Sequence, residues 1–213
     1  MSTKWLNCIV KMKAKEKNTE LGILNAAKEV FQEKGMAGSR MQEIADKAKI
    51  NKSMLHYYYR SKQLLFEAVF KNAFRLLAPQ LNKVLNDDSE LFDKIRNFTN
   101  NYISFVIAHP YIPNFVIQEL NKNPDFIDRL RKEKDFPTLK KFKIQVEEAI
   151  DSGIIKPIEP EQLFINIISL NIFPFIAAPL LQGLINVTEK EYRELMERRK
   201  TEVADFIINS IRL

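Results

Sequence analysis

Lys52, Ser53, His56 and Tyr57 stand in the run "INKSMLHYYYRSK" (residues 50–62) at spacings that put them on one side of a helix turning about 100° per residue. They bring an ammonium, a hydroxyl, an imidazole and a phenol ring together. Groups of this kind hydrogen-bond phosphate oxygens and base edges or lay a ring against a thymine methyl, so the chemistry on offer is nucleic-acid contact. The four consecutive rings His56 to Tyr59 cannot all face one way, and Leu55, Tyr58 and Tyr59 fall on the side that can pack inward. Ser61 and Lys62 open the next helix, where backbone N–H groups and a positive charge suit a phosphate.

Other chemistries find little support. The neighbouring carboxylates Asp87 with Asp88 and Glu147 with Glu148 point different ways on a helix and form no acid–base pair by spacing. His56, His109 and the lone Cys8 have no metal-ligand spacing, so no metal is expected. No phosphate-cradling glycine loop or nucleophile motif occurs, so neither an enzyme nor a bound cofactor is expected. A single cysteine and the lack of a secretion signal point to the cytoplasm. Met12 offers an alternative start.

Charge is unevenly placed. Residues 1–62 hold thirteen Lys and Arg against six Asp and Glu, and residues 63–213 hold twenty against twenty-one. The excess positive charge therefore lies in the first third, as in a polyanion-binding head on a near-neutral body, although a lysine surface kept for solubility gives the same count. Residues 163–185 carry no charge, but two prolines and several polar residues favour a buried helix over a membrane span, and no membrane partner is expected.

Apolar residues recur at helical spacing almost throughout, which predicts an all-α protein of about nine helices. Asn18 or Thr19 caps a first helix that Gly35 ends. Ser39 and Gln42 form a capping box for a two-turn helix, Asn51 caps a third, and Ser61 caps a fourth that Pro79 must kink or end. Two short helices across a tight turn make a helix-turn-helix, whose second helix enters a DNA major groove. A plain three-helix packing unit with exposed tyrosines would look similar. Further helices are expected from Glu90 to Ala108, capped by Ser89, near 112–122 and 125–134, at 138–152, 161–185 and 189–211, the last opened by the box Thr188 and Glu191.

The stretch from Ile23 to Phe70, with its Ile44–Ala45 pair and with Ile50, Leu55, Tyr58, Tyr59 and Lys62 in register, resembles the DNA-binding region of tetracycline-repressor-type (TetR/AcrR) transcriptional regulators. Lys49 replaces the usual turn glycine and faces a left-handed conformation, Ser53 replaces a second glycine, and His56 replaces a tyrosine. The resemblance implies DNA contacts from Ser39, Arg40 and Gln42, from Asn51, Lys52, Ser53, His56, Tyr57 and Tyr58, and from Lys62. Residues 1–17, with Lys11, Lys13, Lys15 and Lys17, form either a basic arm on DNA or a solvated tail. Residues 18–75 form the DNA-binding domain and 76–213 the ligand-binding and dimerisation domain.

For that body the resemblance implies a two-fold dimer on duplex operator DNA and a small-molecule effector, apolar or weakly polar, whose binding moves the fourth helix and releases the operator. Phe98, Tyr102, Phe105, Phe115, Phe142 and Phe164 are the candidate cavity lining, with Asn101, His109 and Gln145 as polar anchors. Ile168, Ile172, Phe175, Leu195, Val203 and Phe206 are the candidate dimer contacts. Each of these apolar residues also fits plain core packing. A helical adaptor without specific DNA binding is the alternative for the whole chain.

Overall fold

The computed structural model describes residues 3–110, 112–122, 124–132 and 136–213. Among them eleven helices form and no strand: α1 (Thr3–Gly38), α2 (Met41–Lys47), α3 (Lys52–Tyr58), α4 (Lys62–Asn86), α5 (Leu91–Ala108), α6 (Ile112–Lys122), α7 (Asp125–Leu130), α8 (Lys140–Asp151), α9 (Pro160–Ile176), α10 (Ala178–Ile185) and α11 (Glu189–Ile211). The chain divides into two compact units, Met1–Ala73 and Phe74–Leu213.

The first helix begins at Thr3 and not at an Asn18 cap, because residues 3–17 contain no proline or glycine to stop it. The side chains of Lys11, Lys13, Lys15 and Lys17 lie outside the described residues. Gly35, at φ 64° and ψ 174°, breaks the helical path where a terminating glycine was expected. Ile23, Ala27, Val30 and Phe31 of α1, Ile44 and Ala45 of α2, Leu55 of α3, and Leu65, Phe66 and Phe70 of α4 are buried. Phe31 meets Phe66 edge to face at 5.0 Å.

Pro79 does not end α4, which runs on to Asn86. A proline removes one helix hydrogen bond, and Pro79 stands at an exposed position of α4. The end of α4 is closed from another helix. Lys94 of α5 is 1% exposed, and its ammonium donates to the carbonyls of Val84 (3.1 Å) and Asp87 (2.9 Å) and to the Asp87 carboxylate (2.9 Å). These are the orphan acceptors that every helix C-terminus leaves, met by a cation. Ser89 does not cap α5 as its sequence suggested; its hydroxyl donates to Asp87 at 2.5 Å instead.

The second unit packs α5 against α11, α9 and α8. Its core joins Ile95, Phe98 and Val106 of α5, Phe142 and Val146 of α8, Leu163 and Ile167 of α9, and Ile207, Ile208 and Ile211 of α11. The apolar stretch expected to be one buried helix is two, α9 and α10, bent by 76°. None of α10 is buried, and no single described helix is long and apolar enough to cross a membrane. Pro174 inside α9 frees the Leu170 carbonyl four residues back, and Arg199 of α11 takes it at 2.7 Å. Tyr192 of α11 donates to the Pro174 carbonyl at 2.7 Å. Burial pulls the Arg199 guanidinium below its ordinary value.

Replacing Lys94 by Met keeps the side-chain length and removes the ammonium. Urea unfolding should show a loss of about 2–4 kcal/mol, because buried carbonyls are left without donors. Partial burial pushes the Asp87 carboxyl up, but hydrogen bonds from Lys94 and Ser89 outweigh it and hold the group below its ordinary value of 3.8. A depressed carboxylate stabilises the fold above its unfolded-state value and loses that contribution as pH falls through the folded-state one. Asp87→Asn should therefore flatten the acid limb of stability against pH, measured below pH 4.

Candidate nucleic-acid interface and effector site

Helix α3 has seven residues and is held from both ends. Asn51 accepts from the Met54 N–H at 2.7 Å, the expected N-cap. The preceding turn puts Lys49 at φ 56°, so the residue standing where a glycine was expected does adopt the left-handed form, at a cost of about 1 kcal/mol. Leu55 is fully buried. Tyr59, buried just beyond the helix, donates its hydroxyl to Glu20 of α1 at 3.1 Å. Burial first, and then the nearby Glu20 carboxylate, push that hydroxyl's pKa well above its ordinary 10.

With one face anchored, the other is open. Asn51, Lys52, Ser53, His56 and Tyr57 are exposed, Tyr57 at 79%, and Tyr58 is half-buried with its ring edge to face against Tyr57 at 5.5 Å. Lys49 and Arg60, in the connections before and after α3, are exposed cations that a reading confined to helix faces passes over.

The supporting helix departs from expectation by one residue. Arg40, not Ser39, is the N-cap of α2, and its N–H donates to Glu43 at 3.2 Å. Ser39 is 3% exposed with its hydroxyl on the Met36 carbonyl at 2.8 Å, so that hydroxyl faces inward and not toward a ligand. Arg40 and Gln42 are exposed, and Gln42 donates to Asp46 at 2.8 Å. Lys62 reaches the carbonyls of Ser39 at 3.0 Å and Ala37 at 3.4 Å, so its ammonium is already engaged within the chain. Ser61 caps α4 through the Leu64 N–H, as expected.

Ion pairs fix α2 on α1: Lys34 to Glu43 at 2.8 Å, and Lys47 to Glu29 at 2.8 Å and Glu33 at 3.3 Å. Lys34's hydrogen bond, with help from the Arg40 N–H, holds the Glu43 carboxyl below its usual value, and Lys47 does the same for Glu29. Glu29, Glu33 and Glu43 are thus engaged by Lys47 and Lys34 between α1 and α2.

In the second unit the nine effector candidates divide. Phe98 and Tyr102, stacked at 5.7 Å, line one recess with Asn101 and Phe105, closed down to about 10 Å³, room for about one water. Phe105 also packs its ring on His109 at 4.8 Å. Phe142 is buried against Phe164, with ring centres 6.2 Å apart, and Phe115 on α6 is half-buried. Gln145 donates to the Ser89 carbonyl at 2.9 Å and lines a separate, open recess of about 310 Å³ with Glu90, Phe92 and Glu148. Sequence spacing missed a buried polar pair on the α5–α9 seam. Asn171 donates to Thr99 at 3.3 Å and to the Ile167 carbonyl at 2.8 Å, with both side chains fully buried. An amide within a strongly apolar run was its signal, one shared with the exposed Asn166.

Of the dimer candidates, Val203 is in the core at 4% exposure and is corrected from interface to interior, because it lies on the buried stripe with Ile207 and Ile211. Ile168, Ile172 and Phe175 are partly buried against the same core, and Leu195 is half-buried. Phe206 is exposed, and so are Ile165 and Phe173 of α9, which the spacing argument did not single out. Beside Phe206 a recess of about 320 Å³ opens between Leu163 and Asn166 of α9 and Ser210 of α11.

Residues 23–69 match the family model for bacterial regulatory proteins of the tetR family. The chain is 29% identical over 92 residues to the HTH-type transcriptional repressor NicS of Pseudomonas putida, covering 43% of each chain. It is 27% identical over 150 residues to the HTH-type transcriptional regulator RutR of Escherichia coli, covering 66% of each. Its structure resembles a TetR family transcription regulator from Marinobacter aquaeolei, with a TM-score of 0.65 and 16% identity over 94% of this chain and 98% of that one. One from Haemophilus influenzae gives 0.61 and 16% over 93% and 98%. At such identities the structures speak for the fold.

Tyr59→Phe should lower stability by about 1 kcal/mol through the lost hydrogen bond to Glu20. Because the raised Tyr59 pKa gives a contribution that is complete below pH 10 and lost above it, the wild type should lose more stability than the variant between pH 10 and 12. Denaturant melts across that range measure the difference.

Proposed function

We propose that the chain is a ligand-responsive transcriptional repressor of the tetR type, binding a two-fold operator as a homodimer and released by a small apolar or weakly polar effector; the match of residues 23–69 to the tetR family model and the likeness to HTH-type regulators support this reading. Members of the family bind operator DNA, usually as dimers. The observation that carries the reading is the open face of α3: Lys52, Ser53, His56 and Tyr57 exposed on a helix whose opposite side is locked by Leu55 and by Tyr59 on Glu20.

In this reading α3 enters the major groove. Lys52 and Ser53, near its N-terminus, meet base edges or phosphates, while Tyr57 and His56 offer ring surface and a hydrogen bond. Asn51 and Tyr58 flank them. Arg40 and Gln42 at the start of α2 hold the adjacent backbone strand, with Lys49 and Arg60 as further phosphate partners. Ser39 and Lys62 act by position: the lysine ties the start of α4 to the carbonyls ahead of α2, which sets the angle at which α2 and α3 are presented.

The effector is assigned to the recess of Phe98, Asn101, Tyr102 and Phe105 in the second unit. That recess is closed to about 10 Å³, so any organic molecule must bind a rearranged form. A ligand that fits one form and not the other has the differential affinity that a release mechanism requires.

Fluorescence anisotropy on a library of labelled duplexes, titrated with salt, tests the DNA-binding role. The wild type should select a two-fold site, with log affinity falling by about 0.9 per phosphate contact for each unit of log salt. A Lys52→Ala, Tyr57→Ala double variant should lose about 10- to 1,000-fold on that site. Equal, weak binding of both proteins to every duplex would leave a basic helical unit without a reading face.

A further inference from the structure

Helix α10 reads "APLLQGLI", carries no charge and buries none of its residues. Leu180 is 60% exposed, Leu184 72% and Ile185 50%. A helix with so much open aliphatic surface adds nothing to the core of its own unit, and a contiguous apolar patch of this kind marks a surface that meets another molecule.

Its placement points to the occupant. The chain enters α10 from α9 through the 76° bend and leaves through Asn186, left-handed at φ 53°, into α11. α10 is thus spliced between the two helices that carry the other large open apolar side chains of this stretch, Ile165 and Phe173 on α9 and Phe206 on α11. A large apolar side chain offers on the order of 200 Å². At their exposures, the three on α9 and α11 supply about half of the roughly 800 Å² per partner that a stable specific interface buries. The three on α10 supply about the other half.

We propose that α10 is a dimerisation lobe whose occupant is the α9–α11 face of a second copy of this chain. The inference rests on the dimeric reading above and adds a surface to it. In a two-fold pair the same patch serves both copies, so each α10 covers its partner's face while its own face is covered in return. The recess between Leu163, Asn166 and Phe206 gives such a lobe a place to seat a leucine. A lipid surface fits less well, because helices that lie in a membrane interface carry Lys or Arg along their polar side and α10 has neither.

Sedimentation equilibrium of the full chain tests this with two variants, a Leu180→Glu, Leu184→Glu pair and Phe206→Glu, each checked for native helicity by circular dichroism. Should the glutamates unfold the protein, serines at the same positions replace them. The expected result is a dimeric wild type and a rise of at least 100-fold in the dimer dissociation constant for both variants. If Phe206→Glu dissociates while the α10 pair keeps the wild-type constant, the lobe is refuted and the dimer stands. A wild type that is monomeric at all concentrations overturns the dimer and the lobe together. Wild-type binding to neutral or anionic phospholipid vesicles that the α10 pair abolishes, with the dimer constant unchanged, assigns α10 to membranes and overturns the proposal.

Discussion

A seven-residue helix cannot hold itself together in water. Nucleating a turn fixes about six dihedrals for one hydrogen bond, and isolated helices under about a dozen residues are marginal. Helix α3 exists because its neighbours hold it: Asn51 closes one end, Leu55 fills a fully buried site, and Tyr59 is tied to Glu20 39 residues earlier in the chain. Everything proposed for the exposed face follows from that. The orientation of Lys52, Ser53, His56 and Tyr57 is set by contacts on the opposite side, so the reading surface is as rigid as the packing beneath it. It can therefore present a fixed pattern to a base sequence, which a frayed helix could not.

The second unit meets a different demand, since its long helices bury their ends and a proline. The carbonyls at the end of α4 would lack donors if Lys94 did not reach in from α5, and the carbonyl that Pro174 orphans would lack one if Arg199 did not reach in from α11. In both cases a cation on a long stem satisfies backbone acceptors, Lys94 holding the Asp87 carboxylate as well. Such an arrangement costs desolvation of the charge but fixes which helix lies where, because the donor is useful only in one register.

How much of this the sequence revealed depends on whether the deciding contact is local. The caps at Asn51, Ser61 and Thr188 involve residues three apart and were legible. So was the left-handed Lys49, from the glycine it replaces. Ser39 was misread because two candidate caps overlap: Glu43 stands three residues after Arg40 just as Gln42 stands three after Ser39, and only the packing that buries Ser39 decides between them. Ser89 failed for a similar reason, since its hydroxyl found Asp87 two residues away. Pro79 was expected to kink or end α4, and of the two the helix is not ended, running on to Asn86. Lys94, Arg199 and the Thr99–Asn171 pair each join residues seven or more apart through tertiary contact, and no periodicity announces them.

The same limit explains why core and interface residues were mixed. Val203, Ile207 and Ile211 recur at intervals of four and form the stripe that α11 turns to its own unit; Phe206 is equally apolar but lies off that stripe. Helical periodicity registers both as hydrophobic, because burial against one's own chain and burial against another obey the same transfer energetics. What separates them is the width of the apolar surface. One packed face needs a stripe of about 100°. α9 is apolar well beyond that, with Ile167 and Asn171 inward and Ile165 and Phe173 outward, and α10 is apolar with no fully buried residue. Apolar surface beyond what a core can use is a property of the sequence, and which side chains make it up becomes legible only once the structure shows which stripe the core has taken.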